Sequence, residues 1–169
     1  LMLAGIREIC LITTPEDQAQ FQRALGDGTQ WGVSFTYVVQ PTPDGLAQAY
    51  ILAEDFLDGS PSAMVLGDNI FFGHGLPELL DEANAREVGG TVFGYHVTDP
   101  ERYGVVDFDA DGKAQAIIEK PEKAPSNYAV TGLYFLDETA SERARAVVPS
   151  PRGELEIVTL LESYLSDGS

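Results

Sequence analysis

Between residues 7 and 97 short apolar runs alternate with stretches whose apolar residues recur at helical spacing, and this alternation restricts the fold more than any other feature. The run over 7–13, with Ile9-Cys10-Leu11-Ile12 at its centre, is short, apolar and bounded by turn signals, as a buried strand should be. Thr14-Pro15-Glu16-Asp17 then opens a helix: Thr as N-cap, Pro at the first position, acids in the first turn. Phe21 and Leu25 share its apolar face, and Gly26-Asp27-Gly28 stops it. A second strand is expected over 34–39, followed by the Pro-rich stretch 40–45. A helix over 46–56 follows, carrying Leu46, Ala49, Tyr50, Ala53 and Phe56. Next come a strand over 63–66, a helix marked by Leu76, Leu79, Leu80 and Ala83, and a strand over 91–97. Strands separated by helical segments predict an α/β fold: a Rossmann-like, mostly parallel but mixed sheet with helices on both faces.

Beyond residue 97 the pattern changes. Stretches 104–108 and 113–119 flank Asp109-Ala110-Asp111-Gly112 and read as a hairpin with a Gly-containing turn. A strand over 128–136 and helices over 138–147 and 154–165 complete the pass, with no internal repeat. One domain over residues 1–169 is expected, long enough to bury a substantial core. Both ends read as cut. Leu1-Met2-Leu3-Ala4-Gly5 resembles the last turn of a helix with Gly past its end, and the chain stops at Asp167-Gly168-Ser169, just after a helix.

Charge narrows the function. A net charge of −17 argues against nucleic acid or anionic membranes as partners; it leaves room for a small phosphorylated ligand if a metal and a few local cations handle the phosphates. No apolar run approaches the ~20 residues needed to span a bilayer. The single Cys10 reads as a small buried hydrophobe, so no disulfide framework forms within one chain, and a cytoplasmic setting is expected.

Four segments carry candidate chemistry. In 40–49 a Pro-braced loop meets a helix start; Gln40 offers an amide donor and acceptor, and Gly45 exposes backbone, which suits the edge of a planar base. In Leu66-Gly67-Asp68-Asn69 a carboxylate and an amide stand at the carboxyl end of a buried strand, where open α/β sheets bind ligands and where Asp suits Mg²⁺. In 99–106, Gly104 lets backbone approach a sugar, while Arg102 and Tyr103 read equally as surface and packing residues. In Glu119-Lys120-Pro121 the carboxylate suits vicinal sugar hydroxyls and the lysine a phosphate, although an exposed ion pair at a turn explains the pair as well. His74 and His96 lack a second His or Cys at metal spacing and read as structural; Trp31 and Phe71-Phe72 read as core. Phosphate-loop, dinucleotide and nucleophile-elbow motifs are absent.

Together these segments resemble the sugar nucleotidyltransferase family, and within it the glucose-1-phosphate thymidylyltransferases. The resemblance runs through nearly the whole chain: 26–32, 40–49, 66–71, 99–106, Glu119-Lys120-Pro121, 126–134 and 152–157. It implies Mg²⁺-dependent transfer of a thymidylyl group from dTTP to glucose 1-phosphate, giving dTDP-glucose and pyrophosphate with no covalent protein intermediate. By the same resemblance Gln40, Pro43, Gly45 and Leu46 bind the nucleotide, and Asp68 holds the metal. Asn69, Tyr103, Gly104, Glu119, Lys120, Val130 and Tyr134 contact the sugar nucleotide, Lys120 at the phosphate; Asp68 and Lys120 are the catalytic pair. A homo-oligomer is implied too.

Departures from the family pattern accompany the match. Its Gly-rich triphosphate loop and following Lys are expected before Leu1, and its second metal carboxylate beyond Ser169, so these 169 residues alone are expected to turn over negligibly. Ile118 stands where an acid often precedes Glu-Lys-Pro, and Val158-Thr159 replaces Thr-Asp, which bears on where the last helix begins. Two alternatives stay open: uridylyl or another nucleotidyl transfer to a sugar 1-phosphate, and a non-catalytic sugar-nucleotide-binding module.

Overall fold

The computed structural model describes residues 1–169 and has the mixed α/β architecture that the alternation predicts. Its order is β1 (Glu8–Thr13), α1 (Gln18–Leu25), β2 (Ser34–Val39), α2 (Gln48–Leu52), α3 (Glu54–Leu57), β3 (Ser62–Val65), α4 (Leu76–Asn84), β4 (Gly90–His96), β5 (Gly104–Phe108), β6 (Ala114–Glu119), β7 (Tyr128–Leu136), α5 (Ala140–Ala146) and α6 (Ile157–Asp167).

The strands form two sheets rather than one. β1 and β2 pair in parallel as a two-stranded ribbon, while β3 to β7 form a five-stranded sheet. Every pair in the larger sheet is antiparallel, so parallel pairing is confined to the ribbon. The reason lies in β7. β3 and β4 point the same way, as a crossover helix between them requires, but β7 runs antiparallel between them. β4 pairs along the length of β7; on the opposite edge β3 takes residues 133–136, and β5 meets β7 where Val105 faces Ala129.

Side chains alternate across this sheet with period two. On one face Tyr134, Leu136, Val92, Met64 and Ile117 pack with Ala47, Tyr50, Ala140, Ala144, Leu160, Leu161 and Tyr164, so α2, α5 and α6 cover it. On the other, Leu133, Phe135, Ala63, Val65 and Phe93 pack with Leu80 and Ala83 of α4 and with Ala4, in the short 3₁₀ turn Met2–Ala4. Helices therefore lie on both faces, as expected.

Some expectations change. The stretch 46–56 is not one helix: Ala53, at φ −91° and ψ 5°, separates α2 from α3, three residues after Ser141 Oγ of α5 claims the Tyr50 carbonyl at 3.0 Å. Thr14 does not cap the helix as expected: its Oγ1 exchanges bonds with the Asp17 carboxylate (2.7 Å) and amide (3.2 Å), closing the turn over residues 15–17, so that Asp17 stands at the N-cap and regular helix starts at Gln18. Cys10 is only half-buried, because its ribbon pairs on one side alone; Trp31 is 44% and Phe72 101% exposed, so neither is core. Phe71 does pack, against the α4 cluster. His96 stacks edge-on to Tyr128 with ring centroids 5.5 Å apart, in keeping with a structural role.

Candidate functional site

The β5–β6 hairpin builds the centre of the site. Gly104 and Glu119 face each other across its open end, and Glu119 shares the strand face of Ile117, two residues back, which packs toward α6. A Cβ at position 104 would lie 3.1 Å from Val158 and 3.4 Å from Glu119 Oε2, so the missing side chain is part of the space. That space is a cavity of about 190 Å³ lined by Leu46, Arg102, Tyr103, Gly104, Glu119, Val130, Tyr134, Glu156, Ile157, Val158 and Leu161. Six residues selected from sequence, on four separate segments, thus meet in one place.

Its walls are apolar and its polar groups few, the usual balance of a small-molecule pocket. Burial, and then the neighbouring Glu119 carboxylate, push the Tyr134 hydroxyl up to about 12, so it stays a hydrogen-bond donor at neutral pH. Glu119 Oε1 has two cations beside it, Lys120 Nζ at 3.4 Å and Arg152 Nη2 at 3.8 Å. Lys120 holds φ at 42°, a left-handed value uncommon outside glycine, while its amide donates to the Tyr103 carbonyl at 3.0 Å. Arg152 carries no sequence assignment of its own, and neither do the wall residues Glu156, Ile157, Val158 and Leu161. Acids spaced around an arginine, as in Arg152-Gly153-Glu154-Leu155-Glu156, were the available signal.

The loop after β2 adjoins the cavity through Leu46. Gln40 Nε2 donates to Gln48 Oε1 at 2.6 Å and to the Gly45 carbonyl at 3.4 Å; Gln48 in turn donates to Asp44 at 2.9 Å. This leaves Gln40 Oε1, the Pro43 carbonyl and the Gly45 amide without partners in the chain, two acceptors and one donor at one loop. Gly45 sits at φ +107°, which an L side chain resists.

Asp68 and Asn69 follow β3, outside the cavity lining. Asn69 is held at both ends: Oδ1 accepts the Gly132 amide of β7 at 3.2 Å, and Nδ2 donates to Asp68 Oδ1 at 2.8 Å. Asp68 is exposed and therefore open to a ligand, but oriented by that bond. No group of three or more metal-ligating side chains gathers anywhere in the chain. A lone oriented carboxylate does not make a closed metal cage; it does fit Mg²⁺ arriving with nucleotide phosphates, which supply the remaining oxygens.

Comparison with known proteins agrees with this geometry. The family model described as nucleotidyl transferase matches residues 1–169. A glucose-1-phosphate thymidylyltransferase of Xanthomonas campestris pv. campestris (strain B100) is 64% identical over 168 residues, covering 99% of this chain and 57% of the relative. The enzyme of that name from Neisseria gonorrhoeae is 55% identical, with 100% and 59% covered. The chain thus spans under two thirds of the length of these curated relatives. A solved structure assigned as a glucose-1-phosphate thymidylyltransferase from Bacillus anthracis, with sucrose bound, superposes with a TM-score of 0.87 at 40% identity, covering 99% of this chain and 68% of that one. A UDP-glucose pyrophosphorylase complexed with UDP-glucose shares the fold, at TM-score 0.80 and 24% identity. No helix is long and apolar enough to cross a membrane.

Proposed function

This chain belongs to the nucleotidyl transferase family, and from that premise we propose that it serves transfer of a thymidylyl group from dTTP to glucose 1-phosphate, giving dTDP-glucose and pyrophosphate. The observation that carries this reading is the single cavity uniting Gly104, Glu119, Val130 and Tyr134 with Leu46 of the base-side loop.

The loop suits thymine. Its free donor, the Gly45 amide, meets a pyrimidine carbonyl, while Gln40 Oε1 and the Pro43 carbonyl can accept the ring N3–H. In the cavity the Glu119 carboxylate accepts from glucose hydroxyls, and the protonated Tyr134 hydroxyl donates to one. Lys120 and Arg152, both within 4 Å of Glu119, are the nearest cations for the sugar phosphate. A phosphate oxygen so held attacks the α-phosphorus in line, forming the new P–O bond as the bond to pyrophosphate breaks. Asp68, steadied by Asn69, would hold Mg²⁺, whose charge offsets that of the phosphates. Positioning and electrostatics then supply the rate, with no side chain acting as nucleophile. A cytoplasmic homo-oligomer goes with this reading; Ile70 and Phe72, 95% and 101% exposed on the loop after Asp68, are apolar surface available to a partner copy.

Calorimetric titration of the 169-residue chain with dTDP-glucose and UDP-glucose tests the recognition half. Binding that favours the thymidine compound is expected, and equal or reversed preference would move the assignment to another nucleotide. For turnover, residues 1–169 replace the matched stretch of the 64%-identical Xanthomonas relative. Pyrophosphate release from dTTP and glucose 1-phosphate is expected from the chimera. A folded but silent chimera would favour a binding module.

A further inference from the structure

Residues 152–157, which lead into α6, touch both halves of the candidate site. On the base side the Leu155 amide donates to the Asp44 carbonyl at 2.6 Å, and the Ala47 amide donates to the Leu155 carbonyl at 3.0 Å. Gly45 lies between these bonds. A Cβ there would stand 2.4 Å from the Leu155 oxygen and 2.6 Å from its nitrogen, so the two backbones are in direct contact. On the sugar side the neighbours of Leu155 hold Arg152: Nη2 lies 2.8 Å from Glu156 Oε1 and 3.4 Å from Glu154 Oε2, besides 3.8 Å from Glu119 Oε1. Glu156 is the anchor of this cluster. Its side chain is only 15% exposed, forms part of the cavity wall, and accepts a second bond from Ser150 Oγ at 2.9 Å.

We propose that residues 152–157 form a brace coupling occupancy of the base-side loop to occupancy of the sugar-side cavity, with Glu156 as its positioning residue. The proposal rests on the assignment of those two halves to thymidine nucleotide and sugar phosphate. Leu155 is bonded through both its amide and its carbonyl, so the segment cannot shift without moving the backbone of Asp44 and Ala47, which flank the free Gly45 amide. A phosphate that draws on Arg152 competes with Glu119, Glu154 and Glu156 for one guanidinium, and Glu156 limits how far it travels. Ordering either half therefore prepares the other. Thermodynamic linkage requires the effect to be the same in both directions.

The test has two arms on the intact chain. In calorimetry, thymidine monophosphate, which leaves the place of the sugar phosphate free, and glucose 1-phosphate are titrated singly and each in the presence of the other. Mutual tightening by roughly fivefold or more is expected in wild type. Glu156→Gln should bring that factor close to one, and Glu156→Asp should partly restore it. A factor unchanged in Glu156→Gln overturns the proposal. The second arm needs no ligand. In amide hydrogen exchange, Glu156→Gln should speed Leu155 and Ala47 together by about tenfold, while the amides of β7 keep their protection and so report an intact fold. Faster exchange at Leu155 with Ala47 unmoved overturns the brace, as does general loss of protection. Failure of wild type to bind either ligand would count against the thymidylyl assignment, leaving the exchange arm to decide the brace.

Discussion

Glu119 and Gly104 divide the work of one position in space, the first supplying a carboxylate and the second supplying room. Because Gly104 has an ordinary backbone conformation and its absent Cβ would point between Val158 and Glu119 Oε2, a methyl there enters the cavity without backbone strain, asking only that Val158, 3.1 Å away, yield slightly. Gly104→Ala should therefore weaken glucose 1-phosphate binding at least about tenfold, ~1.4 kcal/mol, with only a small change in thermal midpoint. Titration calorimetry beside a melting curve checks this. A fall of the midpoint in step with affinity would show that Gly104 serves the fold instead. Several residues of the site were legible in the sequence because their chemistry is local: a glycine before an apolar pair, an acid and a lysine at a strand end, a carboxylate after a buried run. Arg152 and Glu156 were not, since what matters is that Arg152, held by Glu156, meets Glu119 from a segment more than thirty residues away.

Between elements the decisive group is Asp137, just past β7 and 5% exposed. Its carboxylate accepts the Gly89 amide ahead of β4 at 2.7 Å, the Thr139 amide and hydroxyl before α5 at 3.0 and 2.5 Å, and the Tyr164 hydroxyl of α6 at 3.0 Å. Burial pushes its pKa up, but the hydrogen bonds from Thr139, Gly89 and Tyr164 together prevail and hold it below the ordinary 3.8. A depressed folded-state pKa contributes stability above the unfolded value, and that contribution is lost as pH falls through the folded one. Asp137→Ala should cost on the order of 3 kcal/mol at pH 7 in urea unfolding, with the difference from wild type shrinking below about pH 4. A pH-independent difference would refute the charged network. Element identities were largely readable. β7 begins and ends where its apolar run does, because a nine-residue strand with both faces covered leaves an unmistakable pattern. The break at Ala53 and the late start of α6 were not readable, since they answer to Ser141 and to the Leu155 contacts rather than to local propensity. Nor does periodicity name a strand's neighbour, which is why the antiparallel insertion of β7 escaped the βαβ pattern.

The whole molecule is unevenly consolidated. No residue within β1 or β2 is fully buried, whereas β7 and α6 between them bury eleven. Local opening follows such differences. Cys10 lies in β1 and is the chain's only thiol, with burial raising its pKa, so it reports the ribbon alone. In mild denaturant a thiol reagent should modify Cys10 through openings that cost less free energy than global unfolding followed by circular dichroism. Labelling that tracks the global transition would mean that ribbon and sheet unfold as one.

The ribbon also has a thermodynamic consequence. The base-side loop grows from β2, the less consolidated layer, while the sugar-side cavity is cut into the packed one. Heat should therefore distinguish the two ligands. A nucleotide that settles the loop also buries apolar surface of the ribbon, and so carries a large negative heat-capacity change and an entropic penalty. A sugar phosphate entering a preformed hollow carries little of either. On the proposed function, the chain would meet one ligand as a rigid receptor and the other as a partner in folding.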